Sequence, residues 1–421
     1  MAERSLRDWL HHLERLHPKD IDLGLTRISA VGRVLGLVPY TIPVIMVAGT
    51  NGKGSVVYAS DAMLRALGRR TGRYTSPHLL AYNERMVIDG ESASDAAILS
   101  AFEAIDAARG DITLTYFEFA TLAALWLFRE QAVEVAILEV GLGGRLDACN
   151  IVDADVAVIT AIDLDHQHWL GDTVDAIAPE KAAIAREGRP VVLAEPDYPG
   201  SLFQTLRATG AVPLHAGDSW SWYEDAGRLE VRLAGGRGHL KVPVPKGLRP
   251  GNVAAAVQAM ACVVSEDIDG GAVARALQDL TVPGRRERRN VLDRELVLDV
   301  AHNPAAMTAL VEWLQAHPIP GRTFAALGLM SDKDLDAMAA QLALAVDGAW
   351  ALAIPGIDRA QSPERIWEAL DRVGIASPQA DFGAETVWAR LMEGSDAGDR
   401  IVICGSFHTV AGIMTLLPDH A

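Results

Sequence analysis

The chain has 421 residues, half of them apolar, which is too long for one ordinary domain and ample for two cores. A net charge of −17 argues against nucleic acid and an anionic membrane surface as partners, so any anion site must be a local exception. The cysteines Cys149, Cys262 and Cys404 are odd in number and in no CxxC spacing, which excludes a disulfide framework and fits a reducing cytoplasm, where the protein is expected.

Residues 1–16 read as an amphipathic, charged helix (Leu6, Trp9, Leu10, Leu13, Leu16) rather than a signal peptide, and no apolar run reaches membrane length. HPKDIDLGLTRI, residues 17–28, follows as a loop whose composition fits a plain connector to a helix over 28–37. Val44–Val47 suits a buried parallel strand, and Gly49, Gly52 and Gly54 then form a tight turn into a helix over 55–67, with Gly68 where a C-terminal cap would stand. Strand, glycine loop and helix N-terminus together make an anion site, to which Lys53 adds a mobile charge. The spacing is shorter than GxxxxGK[ST], and a glycine-rich turn that merely packs closely is the competing reading.

TSPHL and NERM then bring Ser76, His78, Asn83, Glu84 and Arg85 into one polar segment. LTYFEFATLAALWLF, residues 114–128, predicts a mostly apolar helix whose aromatic entry, Tyr116 to Phe119, fits core packing. Glu134–Val140 reads as a strand with Glu139 inside an apolar run, followed by GLGGRLD. An acid there is costly unless paired or holding a metal. A strand at 156–160 ends on AIDLDHQHWLG, where Asp163, Asp165, His166 and His168 suit a metal site. Lys181, in PEKAAI, reads by composition as an ordinary solvated lysine.

A strand at 191–194 precedes a Gly- and Trp-rich hairpin or meander over 218–245 and an alanine-rich helix over 252–264. VPGR, residues 282–285, with Arg286 and Arg288 behind it, reads as an interdomain link. A second α/β alternation follows, with strands at 296–301, 324–329, 349–354 and 401–404 and helices at 304–315 and 335–346. Its first strand carries Asp299 into AHNP.

A phosphate-cradling loop, a serine and a carboxylate at strand ends and a histidine together imply a nucleoside triphosphate with a divalent metal. The runs IDLGLTR, GTNGKGS, SPHL, NERM, LTYFEF, LEVGLGGRLDACNIV, DHQHWLG, EKAAI, VPGR, DVAHNP, DKD and CGSFHTV extend this over nearly the whole length. With them the chain resembles the bacterial bifunctional dihydrofolate synthase/folylpolyglutamate synthase family, relatives of the muramyl-peptide ligases. GTNGKGS belongs to the wider superfamily, whereas LTYFEF with LEVGLGGRLDA marks the folate branch.

The resemblance implies an α/β protein with two domains. Residues 1–283 would form an ATP- and pteroate-binding P-loop ATPase-type domain on a mostly parallel sheet, and residues 284–421 a smaller, Rossmann-like domain closing over ATP. It implies ATP contacts at Thr50, Asn51, Gly52, Lys53, Gly54, Ser55, Asn252, Arg285 and Asp299, with His302 beside them. It implies a pteroate pocket of Asp20, Ile21, Asp22, Leu23, Thr115, Tyr116, Phe117, Glu118, Leu146, Asp147 and Ala148.

Magnesium, at two sites, would be held by Ser76, Glu139 and His166 and by Lys181, carried as a CO2-derived carbamate; a monovalent cation is a further expectation. Lys53, Lys181 and His166 are the expected catalytic groups. The expected reaction joins L-glutamate to dihydropteroate and to reduced folates through an acyl phosphate, in a monomer that needs no nucleic acid or membrane. Cys149 stands where the family has threonine and Ala183 where it more often has glycine, and neither change removes a polar ligand. The rival readings are a muramyl-peptide ligase and a nucleotide-gated binding module without catalysis.

Overall fold

The structure, a computed structural model, describes residues 4–376 and 382–417. The chain divides into two compact units, Met1–Leu280 and Thr281–Ala421.

In the first unit, α1 (Leu6–Leu16) starts with a capping box in which Ser5 and Asp8 satisfy each other's backbone donors. α2 (Thr26–Val34) begins and ends earlier than the sequence predicts. β1 (Val44–Ala48) leads through the glycine loop into α3 (Lys53–Ala66), with Gly68 in the left-handed region at φ 78° as expected of a cap. Then come β2 (Thr71–Tyr74), β3 (Met86–Ile88), β4 (Glu91–Ser92), α4 (Asp95–Arg109), α5 (Tyr116–Glu130) and β5 (Val135–Glu139). β6 (Val156–Ile159), α6 (Gln167–Leu170), α7 (Val174–Ala182), β7 (Pro190–Leu193), α8 (Gly200–Thr209) and β8 (Val212–His215) complete the main sheet.

That sheet has the order β4-β3-β2-β5-β1-β6-β7-β8, parallel from β2 to β8, with β3 and β4 added antiparallel at one edge. Both faces of a parallel sheet must be covered, which is why β1 and β5 are buried at every position. Val44, Met46 and Ala48 pack with α1, α2, α4 and α5 in one core. The other face receives α3 and, from later in the chain, α9 (below).

The Trp-rich excursion is a meander, as expected: β9 (Ser221–Asp225), β10 (Arg228–Arg232) and β11 (His239–Pro243) form an antiparallel sheet. α9 (Pro250–Val263) and α10 (Gly270–Gln278) follow.

In the second unit, β12 (Glu287–Val291) is an antiparallel edge strand just after VPGR, where the sequence had suggested only a link. β13 (Arg294–Leu298), α11 (Pro304–Ala316), β14 (Thr323–Leu327), α12 (Leu335–Leu342), β15 (Gly348–Ala351), α13 (Pro363–Arg372), α14 (Ala384–Gly394), β16 (Arg400–Cys404) and α15 (Phe407–Met414) make a five-stranded sheet of order β12-β13-β16-β14-β15, parallel except at β12. Both units are thus open α/β sheets, in which ligands gather beyond the carboxyl ends of the strands. Among the described residues no helix is long and apolar enough to cross a membrane.

Candidate active site

The glycine loop is shaped by what stands behind it. Gly49 has φ 152°, and a Cβ there would overlap the Thr160 hydroxyl at the end of β6; Gly52 has φ 94°, and a Cβ would lie 2.5 Å from the Asn252 amide on α9. Thr50 is sewn to the loop beyond β6: its N–H donates to Ala161 O at 2.7 Å, its hydroxyl to Asp163 O at 3.0 Å, and it accepts from Asp163 N–H at 3.0 Å. Gly52 is the N-cap of α3 and offers no side-chain acceptor, so the first N–H groups of the helix carry no side-chain cap. Two lysines converge on the same backbone. Lys53 Nζ donates to Gly49 O and Thr50 O at 3.2 Å, and Lys181 Nζ to Gly49 O at 2.8 Å.

Lys181 is 5% exposed, which overturns its reading as a solvated lysine. The cause is tertiary. Gly144, in the GLGGRLD loop, lets that loop lie directly on α7, where Arg145 N–H donates to Glu180 O at 2.8 Å and its side chain pairs with the Glu180 carboxylate at 2.8 Å. Burial, reinforced by the Lys53 charge, pulls the Lys181 amine down to about 7.

Glu139, at the end of β5, is also 5% exposed. It accepts the Ser76 N–H at 3.3 Å, and Gly54 leaves open the space before it: a Cβ there would stand 3.8 Å from one carboxylate oxygen. A buried acid beside a serine, facing a side-chain-free helix start, fits a hard divalent cation.

The broader histidine–aspartate cluster past β6 does not form. Among the described residues no three His, Cys, Asp or Glu side chains converge as a metal group. Asp163 and Asp165 each accept a backbone N–H of the following residue, at 2.7 and 2.8 Å, and so shape their own turn. His168 packs its ring on Trp169. His166 itself, in the left-handed region at φ 51°, has a side chain 38% exposed with Nε2 3.9 Å from Asp165.

The segments assigned to pteroate are drawn together. The loop at 17–25 is held to the start of α5 by Arg27, which donates to the Asp22 carboxylate and to Asp22 O at 2.6 Å each and pairs with Glu118 at 3.2 Å. His17 adds contacts to Thr113 and Asp22. Thr115 and Glu118 form the capping box of α5. The Asp22 and Glu118 side chains are therefore partners of Arg27, a residue to which sequence reasoning gave no role although it closes the IDLGLTR run. Phe117 lies on Gly141, where a Cβ would meet its ring at 2.6 Å, and 6.0 Å from the Tyr74 ring. Asp147 is buried and braces the glycine loop after β5, accepting from Gly141, Leu142 and Cys149 N–H groups at 3.0, 2.9 and 2.9 Å. Burial pushes its carboxyl upward against those donors. Cys149 fills the family's threonine position as a buried thiol donating to Glu139 O.

In the second unit, Asp299 beyond β13 is buried and accepts from Arg286 and Ala301 N–H groups at 3.0 and 2.8 Å. Burial raises its carboxyl, while Arg285 and Arg286 oppose the shift. His302 bonds its own loop at Val300 O, and the Arg285 guanidinium lies over the Phe407 ring at 5.3 Å, so VPGR, AHNP and CGSFHTV meet at one end of this sheet.

Residues 47–199 match the Mur ligase middle domain and residues 284–407 the Mur ligase glutamate ligase domain. The dihydrofolate synthase/folylpolyglutamate synthase of Escherichia coli K12 is 38% identical over 99% of this chain and 96% of its own length. The structure of E. coli FolC in complex with DHPP and ADP superimposes with a TM-score of 0.93 over 99% of this chain and 98% of that one, at 38% identity. A bifunctional folylpolyglutamate synthase/dihydrofolate synthase with Mn, AMPPNP and L-glutamate bound gives a TM-score of 0.90 over 99% of this chain and 98% of that one, at 40% identity. On its two matched domains and these full-length likenesses, the chain belongs to the dihydrofolate synthase/folylpolyglutamate synthase family of Mur ligases.

Proposed function

We propose that the protein is an ATP-dependent carbon–nitrogen ligase that joins L-glutamate to dihydropteroate, giving dihydrofolate, and then adds further glutamates to reduced folates. One observation carries this reading: the loop that follows the buried acid Glu139 is the same loop that packs on Phe117, so the phosphate cradle and the aromatic pocket share a wall. Full-length relatives of the same name support it.

The γ-phosphoryl group of ATP passes to the acceptor carboxylate, the amine of L-glutamate attacks the resulting acyl phosphate, and amide, ADP and phosphate leave. Two anions must meet, so positioning and charge neutralisation are the main tasks. The N–H groups at the start of α3, which the Gly52 N-cap leaves without a side-chain cap, cradle phosphate oxygens, and Lys53 exchanges its backbone carbonyls for them. Thr50, Asn51 and Asn252 flank that cradle in the first unit. Arg285, Asp299 and His302 are assigned to ATP from the second unit by family resemblance. Ser76, Glu139 and His166 would hold a divalent cation, which neutralises phosphate charge and orients the transferring group.

Lys181 is assigned as the carbamate formed with CO2, which turns a cation into an anion able to face a second metal. Its buried, readily neutral amine supports that assignment. A monovalent cation could complete such a set through backbone carbonyls. Asp20 to Leu23, Thr115 to Glu118 and Leu146 to Ala148 form the pteroate pocket. Phe117 supplies a face for the pterin, and Asp147 retains one of its roughly four lone pairs for a pterin N–H beyond the three it gives to backbone.

The test is ADP release by purified protein with dihydropteroate plus L-glutamate, and separately with tetrahydrofolate plus L-glutamate, each with product mass. ADP release that requires acceptor and amino acid, with a product heavier by one glutamyl unit, is expected. Turnover only with a UDP-sugar carboxylate would make the protein a muramyl-peptide ligase. ATP binding without turnover on any acceptor would make it a nucleotide-gated module.

A further inference from the structure

Arg85, the third residue of the NERM run, is 8% exposed, yet among the described residues no carboxylate pairs with it. Its Nε donates to His78 Nδ1 at 2.8 Å, and its guanidinium lies 5.6 Å from the Tyr82 ring centre and 5.5 Å from that of Tyr116. The adjacent acid is spoken for: Glu84 accepts the N–H groups of Leu79, Leu80 and Ala81 at 2.7 to 2.8 Å. Aromatic faces offset part of the cost of removing a guanidinium from water, but a sequestered cation is stabilised far more by an anion. The position is informative. His78 is two residues beyond Ser76, the residue bonded to Glu139, and Tyr116 immediately precedes Phe117 on α5. Arg85 therefore lies between the residues assigned to the metal and those assigned to pteroate.

We propose that Arg85 is the receptor for the α-carboxylate on the terminal glutamate of a folate acceptor, an assignment that rests on the proposed folate reaction. The planar fork of an arginine matches a carboxylate bidentately. A carboxylate held in that way has its lone pairs engaged and its charge offset, which makes it a poor nucleophile towards phosphorus. The arginine thus suits a carboxylate that must not react. Dihydropteroate has one carboxylate, and that one is phosphorylated. A glutamylated folate has two on its last residue, of which the γ-carboxylate reacts and the α-carboxylate needs a counter-ion. Arg85 would then decide how well the protein performs the second reaction while leaving the first nearly untouched.

The experiment compares wild type, Arg85→Gln and Arg85→Lys as full-length protein. KM and kcat are measured for dihydropteroate, tetrahydrofolate, L-glutamate and ATP, with equilibrium binding of both acceptors followed by fluorescence. Arg85→Gln is expected to raise KM and Kd for tetrahydrofolate roughly 10- to 100-fold, the loss of a charge-assisted bidentate contact. Values for dihydropteroate, ATP and L-glutamate should stay within about threefold, as expected where no contact is removed, and Arg85→Lys should recover part of the loss. An equal rise for both acceptors, or a rise for L-glutamate instead, would overturn the assignment, as would a drop in melting temperature that Arg85→Lys does not repair. If wild type fails to turn over either acceptor, the proposed function fails; the binding comparison still decides whether Arg85 distinguishes a glutamylated from an unglutamylated pterin.

Discussion

Each unit of this protein contains a strand, a loop and a helix at the heart of a parallel sheet, and the two are built to opposite ends. In the first, β1 runs through Gly49 and Gly52 into α3, and the helix begins on a glycine that caps nothing. In the second, β13 runs through Asp299 and His302 into α11, where Asn303 accepts the Ala306 N–H at 2.9 Å and Pro304 removes a further donor. The first loop has two lysines bonded to its backbone, whereas the second is occupied by a buried acid. Similar topology therefore yields one helix start that can hold phosphate with its backbone and one that presents side chains instead. The difference rests on capping and on charge, not on strand order.

The largest effect should come from closing the open loop. Gly49→Ala puts a Cβ into the Thr160 hydroxyl on a backbone that L-residues rarely adopt, and about 3 kcal/mol of stability or more should be lost together with all ATP turnover. Urea melts and ADP release measure both; an active, fully stable variant would show that the glycine is dispensable to the loop.

Glu139→Gln keeps the shape of the acid and removes its charge. Activity should fall on the order of 10²- to 10³-fold, as for loss of one preorganised electrostatic group, with the melting temperature nearly unchanged. Equal losses of fold and rate would make Glu139 a core residue rather than a ligand.

A smaller effect concerns Lys181, the α7 lysine bonded to the open loop at Gly49 O. The Lys181 amine titrates near 7 in the folded chain, against about 10.4 for a free lysine. Between those values the unfolded chain carries a proton that the folded chain does not, so metal-free, CO2-free protein should gain stability as pH rises from about 7 to 10.5. The contribution of this single group cannot exceed about 1.4 kcal/mol per pH unit. Lys181→Met should flatten that rise in denaturant midpoints taken across the range. An unchanged slope would mean that the amine stays protonated in the fold.

The smallest effect belongs to the capped helix. Asn303→Ala should cost about 1 kcal/mol in a urea melt and leave turnover largely intact. A loss of activity comparable to that of Glu139→Gln would break the comparison, by placing phosphate at the second helix start as well.

Much of this site could be read before the fold was known, and the reasons are local. A glycine run between an apolar strand and a helix, an acid inside Ile137–Val140, and an alternation of strands and helices are short-range patterns, and the first two name Lys53 and Glu139 directly. Short strands carried less signal. β2, β3 and β4 span four, three and two residues, too few to show a period, and β12 is a charged edge strand that composition disguises as a link.

What sequence alone determined was therefore the chemistry on offer: an anion-binding turn, a carboxylate at a strand end, a net charge of −17, and a likeness to folate ligases carried by a dozen short runs. The tertiary structure decided which of those groups are paired and which are exposed. Gly144 lying on α7 buries Lys181, Arg27 engages Asp22 and Glu118, Asp147 turns back to brace its own loop, and Arg85 lies between the Tyr82 and Tyr116 rings with no acid opposite among the described residues. Those outcomes depend on contacts between segments up to 132 residues apart, as for Lys181 and Gly49. Burial and pairing are properties of such contacts, and neither composition nor spacing along the chain encodes them.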